Sequence, residues 1–290
     1  MNYMEKSERM KHLLMLLLTL CVAVSASSQS YTELFEQSVV ALEQDSLWQA
    51  EELITQALKA EPSNEHNALL FANLGWLQRR QHRYEEALDS YTYALNFAPL
   101  SVPILMDRAT LLMEMGREER ARVDYSLVLD LDAHNQEALL MRAYIHQRER
   151  NYKEAHADYD SLLHVAPKHY QGRLGLATLY QKEQKYESAM MLLNTLVEEE
   201  RQASSPEANR LAVLYLAKAH VEWEQGWAEP ALIDLAASMK ANAQLSEAYL
   251  LQGQIWLSQG KKRPAKNCFL RARELGVSDA ELREWMLQCK

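Results

Sequence analysis

Glycine and proline are scarce, at eight and seven in 290 residues. Almost no segment alternates apolar and polar residues with period two, and together these absences favour an all-α chain. Cysteine is scarcer, at three, which excludes a disulfide framework. No Gly-rich phosphate loop, HExxH zinc motif, CxxC pair or GxSxG elbow occurs, so the common signatures of nucleotide, zinc and nucleophilic chemistry are missing. No Asn-x-Ser/Thr sequon occurs either. Positive charge is in the minority: 31 basic residues against 40 acidic give a net charge of −9. That balance argues against a nucleic-acid partner, which demands clustered Lys and Arg, and against peripheral binding to anionic lipid. The one sustained apolar run, Leu13–Val24, has twelve residues and falls short of the ~20 that a comfortable membrane span needs.

That run has a context. Lys6, Arg9 and Lys11 precede it, and Ser25, Ala26, Ser27, Ser28 and Gln29 follow. A positive end, a short apolar core and small residues predict a secretory signal peptide over residues 1–28. Val24 and Ala26 permit cleavage after Ala26. Ala26 and Ser28 permit it after Ser28, the preferred reading. Cys21, in the run LTLC, raises a lipoprotein alternative, which the large Leu20 before it disfavours; an uncleaved anchor is another alternative. The expected location is therefore outside the cytoplasm, in a bacterial periplasm. Past the leader only Cys268 and Cys289 remain. In an oxidising compartment they can pair, although the place of Cys268 beside Phe269 favours a buried free thiol.

What the sequence does contain is a repeat. Seven alanines, Ala50, Ala87, Ala121, Ala155, Ala189, Ala231 and Ala265, are spaced by 37, 34, 34, 34, 42 and 34 residues. Twelve residues before each stands another small residue: Ser38, Gly75, Ala109, Ala143, Ala177, Ala219 or Gly253. Four residues after each stands a large apolar one: Ile54, Tyr91, Tyr125, Tyr159, Leu193, Leu235 or Phe269. Twelve after come Pro62, Pro99 and Pro167 in three units. About five before lies a polar or Gly turn, seen at Asp45, Gly116, Arg150, Gly226 and Gly260. Residues three or four apart on a helix share a face, so each unit reads as two antiparallel helices that the small pair lets approach closely. The large residue then fills the space toward the next hairpin, and proline ends the second helix.

This pattern resembles the tetratricopeptide repeat, most clearly over Ala68–Ser101, where Leu74, Gly75, Ala87, Tyr91, Ala94 and Pro99 stand at the family's marked positions. Further copies run over residues 31–64, 102–135, 136–169, 170–203, 212–245 and 246–279. The family's usual first-helix tryptophan is replaced here by Phe71, Leu105, Leu139 or others, and eight extra residues stand around Ala203–Leu211. The resemblance implies an all-α solenoid: a right-handed superhelix of about seven helix hairpins over residues 29–279. Residues 280–290, with Leu282, Trp285 and Met286 on one stripe, form a capping helix. A single array explains the length better than two independent domains.

Candidate chemistry is thin. His146 and His156, imagined as metal ligands with Asp158, lie on opposite helices of one hairpin without i, i+4 pairing, so the histidines are expected to face solvent and no metal or cofactor is assigned. Glu198, Glu199 and Glu200 read as a solvated face, as do Lys261, Lys262 and Arg263. Function is expected on the first helices. Counting 18, 15, 11 and 8 residues back from each anchor defines one stripe, which in the resembled family lines the concave surface. It contains Leu69, Ala72, Trp76 and Arg79; Pro103, Met106, Thr110 and Met113; Glu137, Leu140, Tyr144 and Gln147; Gln171, Leu174, Thr178 and Gln181; Val213, Leu216, His220 and Trp223; and Glu247, Leu250 and Gln254. The family's chaperone-tail clamp needs Lys and Asn on this stripe, where Ala72, Trp76, Met106, Thr110, Leu140 and Tyr144 stand instead, so a cytosolic co-chaperone is rejected. The predicted binding set is Trp76, Arg79, Met106, Met113, Leu140, Tyr144, Gln147, Leu174 and Trp223, led by Trp76 and Tyr144. The competing expectation is that neighbouring repeats bury much of the stripe.

The resulting expectation is a non-catalytic scaffold of the cell envelope that binds a peptide or helix of a partner protein. Two alternatives stand beside it: an enzyme or carbohydrate-handling accessory with a site at the 203–211 insertion, and a self-assembling structural protein. Convergent carboxylates in a deep cavity at the insertion would favour the first.

Overall fold

The computed structural model of the chain describes residues 29–290; the predicted leader and Cys21 lie outside them. Among the described residues there are fifteen α-helices and no strand. They form two compact units, one reaching Asp124 and the other spanning Tyr125–Lys290. The first contains α1 (Tyr31–Glu43), α2 (Leu47–Ala60), α3 (Asn67–Arg80), α4 (Tyr84–Phe97) and α5 (Val102–Glu114), and α6 (Glu118–Leu131) carries the boundary. The second continues with α7 (Gln136–Arg148), α8 (Tyr152–Val165), α9 (Tyr170–Lys182), α10 (Tyr186–Gln202), α11 (Ala208–Glu224), α12 (Ala228–Ala241), α13 (Ser246–Ser258), α14 (Lys262–Glu274) and α15 (Asp279–Gln288). Odd and even helices pair as seven hairpins, and α15 follows the last.

The turn inside every hairpin has one construction. Five residues before each anchor the backbone enters the left-handed region: Asp45, His82, Gly116, Arg150, Gln184, Gly226 and Gly260 have φ between 54° and 81°. The next residue's N–H reaches back five residues to a carbonyl the helix leaves unpaired, as in Arg83 to Gln78 (2.9 Å) and Lys185 to Tyr180 (2.8 Å). This is the Schellman closure, which reverses the chain while satisfying orphan carbonyls. His82 and Gln184 belong to the set although neither residue type announces it. Between hairpins a different device operates. Glu61, Ala98 and Ala166 leave the helix at φ near −132° to −136°, because the following Pro62, Pro99 and Pro167 crowd the helical conformation of the residue before them.

All seven anchor alanines have no exposed surface, and the large residues four later are at most 1% exposed. The small residue twelve before the anchor answers to those large ones. A Cβ on Gly75 would meet the Tyr91 ring at 3.1 Å, and one on Gly253 would come within 2.5 Å of Phe269. Tyr159 reaches both ways within the second unit. Its hydroxyl donates to Gln147 Oε1 of its own hairpin at 3.1 Å, and the ring faces Gly175 of the next so closely that a Cβ there would lie 2.5 Å from the hydroxyl.

The extra residues near 203–211 lengthen the two flanking helices as well as the link between them. Both α10 and α11 extend to 17 residues, leaving Ala203–Glu207 as the link. Leu196 and Val197 still share a core with Leu214, Tyr215 and Val221, so packing continues across the insertion. At the end, Ser278 caps α15 by accepting the Glu281 N–H at 3.2 Å, and Leu282 is buried with Ala265 and Phe269.

Candidate functional site

In the first unit the predicted stripe forms one wall of an apolar cleft of about 550 Å³. Leu69, Ala72 and Trp76 come from α3, Pro103, Ile104 and Asp107 from α5, and Leu42 from α1. Two helical steps place the α3 side chains on one face, and Pro103, in the first turn of α5, costs no helix hydrogen bond there. Trp76 is 37% exposed; the Arg80 guanidinium lies 4.9 Å from its ring centroid. Arg79 turns away from ligand duty. It donates to both oxygens of Glu114, at 2.9 and 2.6 Å, and this bidentate bond holds the Glu114 carboxyl below its ordinary pKa. A polar recess lined by Arg79, Arg80, His82, Tyr84 and Glu114 also includes Trp76. Met106 and Met113 are partly buried.

In the second unit the same stripe is largely used for packing. Leu140, Leu174 and Trp223 rest against the hairpin cores. Gln147 donates to Thr178 Oγ1 at 3.1 Å while accepting from Tyr159. Tyr144 alone of the four predicted aromatic and aliphatic residues there is open, at 42% exposure, with Arg148 5.8 Å from its ring. Burial depresses the pKa of His220, which favours its neutral form.

The polar groups singled out in the sequence are more engaged than expected. His156 bonds to Glu183 Oε2 at 2.7 Å and packs on Tyr180. His169 caps α9 by accepting the Gly172 N–H at 3.1 Å. The His146 side chain is 12% exposed, with Glu149 at 3.9 Å. These histidines therefore do not simply face solvent: His156 finds its partner in the next hairpin, and His146 and His169 find theirs three residues along the chain. No group of three potential metal ligands occurs among the described residues. At the insertion, a recess of about 390 Å³ contains Lys168, Tyr170, Arg173, Glu199, Glu200 and Arg210. Its carboxylates do not converge on free space. Glu199 accepts from Arg173, which lowers its pKa, and Glu200 accepts the Glu207 N–H at 2.6 Å with Arg210 at 3.8 Å. Glu200 is thus tied into the link instead of lying on a solvated face. Lys261, Lys262 and Arg263 are exposed, Lys261 lying 4.2 Å from the Trp256 ring centroid. Cys268 and Cys289 are free thiols. Cys268 donates to Gln252 Oε1 at 3.1 Å, and burial raises its pKa to about 11.

One ladder was not read from the sequence. Residues 13 before and 3 after an anchor meet across the hairpin. They are Arg108 and Asp124 (2.8 and 2.7 Å), Arg142 and Asp158 (2.8 and 2.6 Å), Lys218 and Asp234 (3.0 Å), and Gln252 and Cys268. The recurring separation of 16 residues with opposite charge was the available signal. In the Lys218 hairpin a second buried carboxylate, Glu222, shares the site. Burial, then the neighbouring Asp234, pushes its pKa up to about 7, against the pull of Lys218.

These hairpins have recognisable kin. A family model described as tetratricopeptide repeat matches residues 146–214. No curated protein matches the chain. A solved tetratricopeptide repeat protein from Parabacteroides merdae ATCC 43184 is 32% identical, over 90% of this chain and 99% of that one, with a TM-score of 0.79. PilF of Pseudomonas aeruginosa is 16% identical over 77% of this chain and 98% of its own, with a TM-score of 0.54. Yeast Tom70 is 14% identical over 89% of this chain and 53% of its own, with a TM-score of 0.58; these last two share the fold alone. With a full-length relative above thirty per cent identity and seven hairpins built on one small-residue plan, the chain belongs to the tetratricopeptide repeat family.

Proposed function

We propose that this protein is a non-catalytic scaffold of the cell envelope that binds a peptide or helix of a partner protein, with its principal contact in the first unit. The tetratricopeptide fold commonly mediates protein–protein interaction. The observation that carries the reading is the apolar cleft beside the exposed Trp76. A groove between packed helices is largely preformed, so less ordering entropy opposes binding, and an apolar helix face seats in such a groove through side chains three and four apart. Trp76 offers a large ring with polar recess residues at its edge, the composition of an interface hot spot. Tyr144 supplies a separate contact in the second unit.

The test is affinity capture from envelope extract using the unaltered protein, Trp76→Ala and Tyr144→Ala, each with an unchanged circular-dichroism spectrum. Loss of one defined protein with Trp76→Ala supports the reading; equal recovery by all three proteins overturns it. Export is part of the same proposal, supported by the composition of residues 1–28. Mass spectrometry of the envelope-derived protein is expected to find the N-terminus at Gln29 or a near neighbour. Intact Met1 on a cytosolic protein would refute it.

A further inference from the structure

The last hairpin and α15 reverse the charge of the chain. Residues 261–290 carry eight basic and four acidic side chains, whereas the whole chain has net charge −9. Part of this cation excess surrounds a recess between α14 and α15. Phe269, Leu270, Leu282, Met286 and Leu287 make its apolar lining, with a volume of about 280 Å³. Lys266, Arg273, Arg283 and Lys290 stand around it, with Asp279 as the single acid. Arg273 has that acid at 3.9 Å, while Lys266, Arg283 and Lys290 make no ion pair among the described residues. Leu287 is 55% exposed.

From this arrangement we infer a second docking surface, which receives an acidic protein segment that presents one or two large apolar side chains between carboxylates. The lining removes the apolar side chains from water, and the cations meet the flanking acids. Opposite potentials across an interface favour encounter and suppress wrong partners. A segment of overall basic charge would be repelled at this rim. An anionic membrane offers the same charge but a broad face, whereas the apolar groups here line a recess sized for side chains. This surface lies wholly in the second unit and does not depend on the Trp76 cleft.

A fluorescent peptide of sequence DELFDELFDELF is the probe, followed by anisotropy at low and physiological salt. Two control peptides replace the acids by their amides, or Leu and Phe by Ser. The expected result is saturable binding that weakens at least tenfold with either control peptide and with Lys266→Glu/Arg283→Glu. Binding should be unchanged in Lys153→Glu/Lys240→Glu, which makes the same charge change elsewhere. All four residues replaced in these double variants are exposed, and circular dichroism checks the fold. Absence of binding overturns the proposal, as does equal weakening by the two double variants. Retention on vesicles containing phosphatidylglycerol with no binding of the peptide would also overturn it.

Discussion

Four side-chain-bearing residues, Asp45, His82, Arg150 and Gln184, occupy left-handed turn positions that glycine fills in the other three hairpins. A Cβ there is disfavoured by local sterics, so Gln184→Gly is expected to stabilise the protein by about 0.5–1 kcal/mol, measured by urea denaturation. Gly253→Ala should act in the opposite direction. Its new methyl would come within 2.5 Å of the fully buried Phe269 ring, and overpacking of this kind costs roughly 1–3 kcal/mol. Glu222 sets a pH dependence. It keeps its proton to about pH 7 in the folded chain but ionises in the ordinary carboxyl range when unfolded. Between those values the folded state holds more protons, so this group's contribution to stability falls as pH rises toward 7 and levels off above. Glu222→Gln should flatten that fall and add about 1–3 kcal/mol at pH 8. A denaturation series from pH 5 to pH 8 that gives parallel curves for the two proteins would exclude the effect. At this scale the sequence spoke unevenly. Gly116, Gly226 and Gly260 announced their turns, while His82 and Gln184 did not, because the hairpin imposes a conformation their side chains do not prefer.

Each hairpin is closed by small residues inside and, in some, by a charged pair. Ala155→Leu places a branched side chain on a seam with no exposed surface and is expected to cost roughly 1–3 kcal/mol by the same denaturation measurement. The Arg142–Asp158 bridge behaves differently. Asp158 is 5% exposed, so Arg142→Met leaves a buried carboxylate without its partner, a loss of about 3–5 kcal/mol. Arg142→Met/Asp158→Leu removes both charges and should recover most of it. A double variant no more stable than the single one would show that the pair acts through something other than charge compensation. The helices themselves were legible, since the anchor, the residue four later and the proline twelve later carry the packing plan in their sizes. The bridges left a trace in the opposite charges that recur 16 residues apart, but whether such residues meet depends on the angle between two helices. The insertion near 203–211 likewise extends two helices, an outcome that extra length alone does not determine.

Across the array, the stripe predicted for binding divides by environment. In the first unit it opens onto the cleft beside Trp76, and in the second most of it contributes to hairpin packing with Tyr144 exposed. Helical periodicity identified which residues share the stripe, but its exposure depends on how closely successive hairpins nest. Arg79 illustrates the difference: its place on the stripe was readable, and its commitment to Glu114 was not. The central functional claim is contact with a partner at that cleft, and the most direct measurement is photo-crosslinking in the native envelope. A photoreactive amino acid would replace Trp76 in one protein and the exposed Val123 in another. The account predicts one defined protein adduct at position 76 and none at position 123. No adduct at 76, or the same adducts in equal yield at both positions, would contradict it.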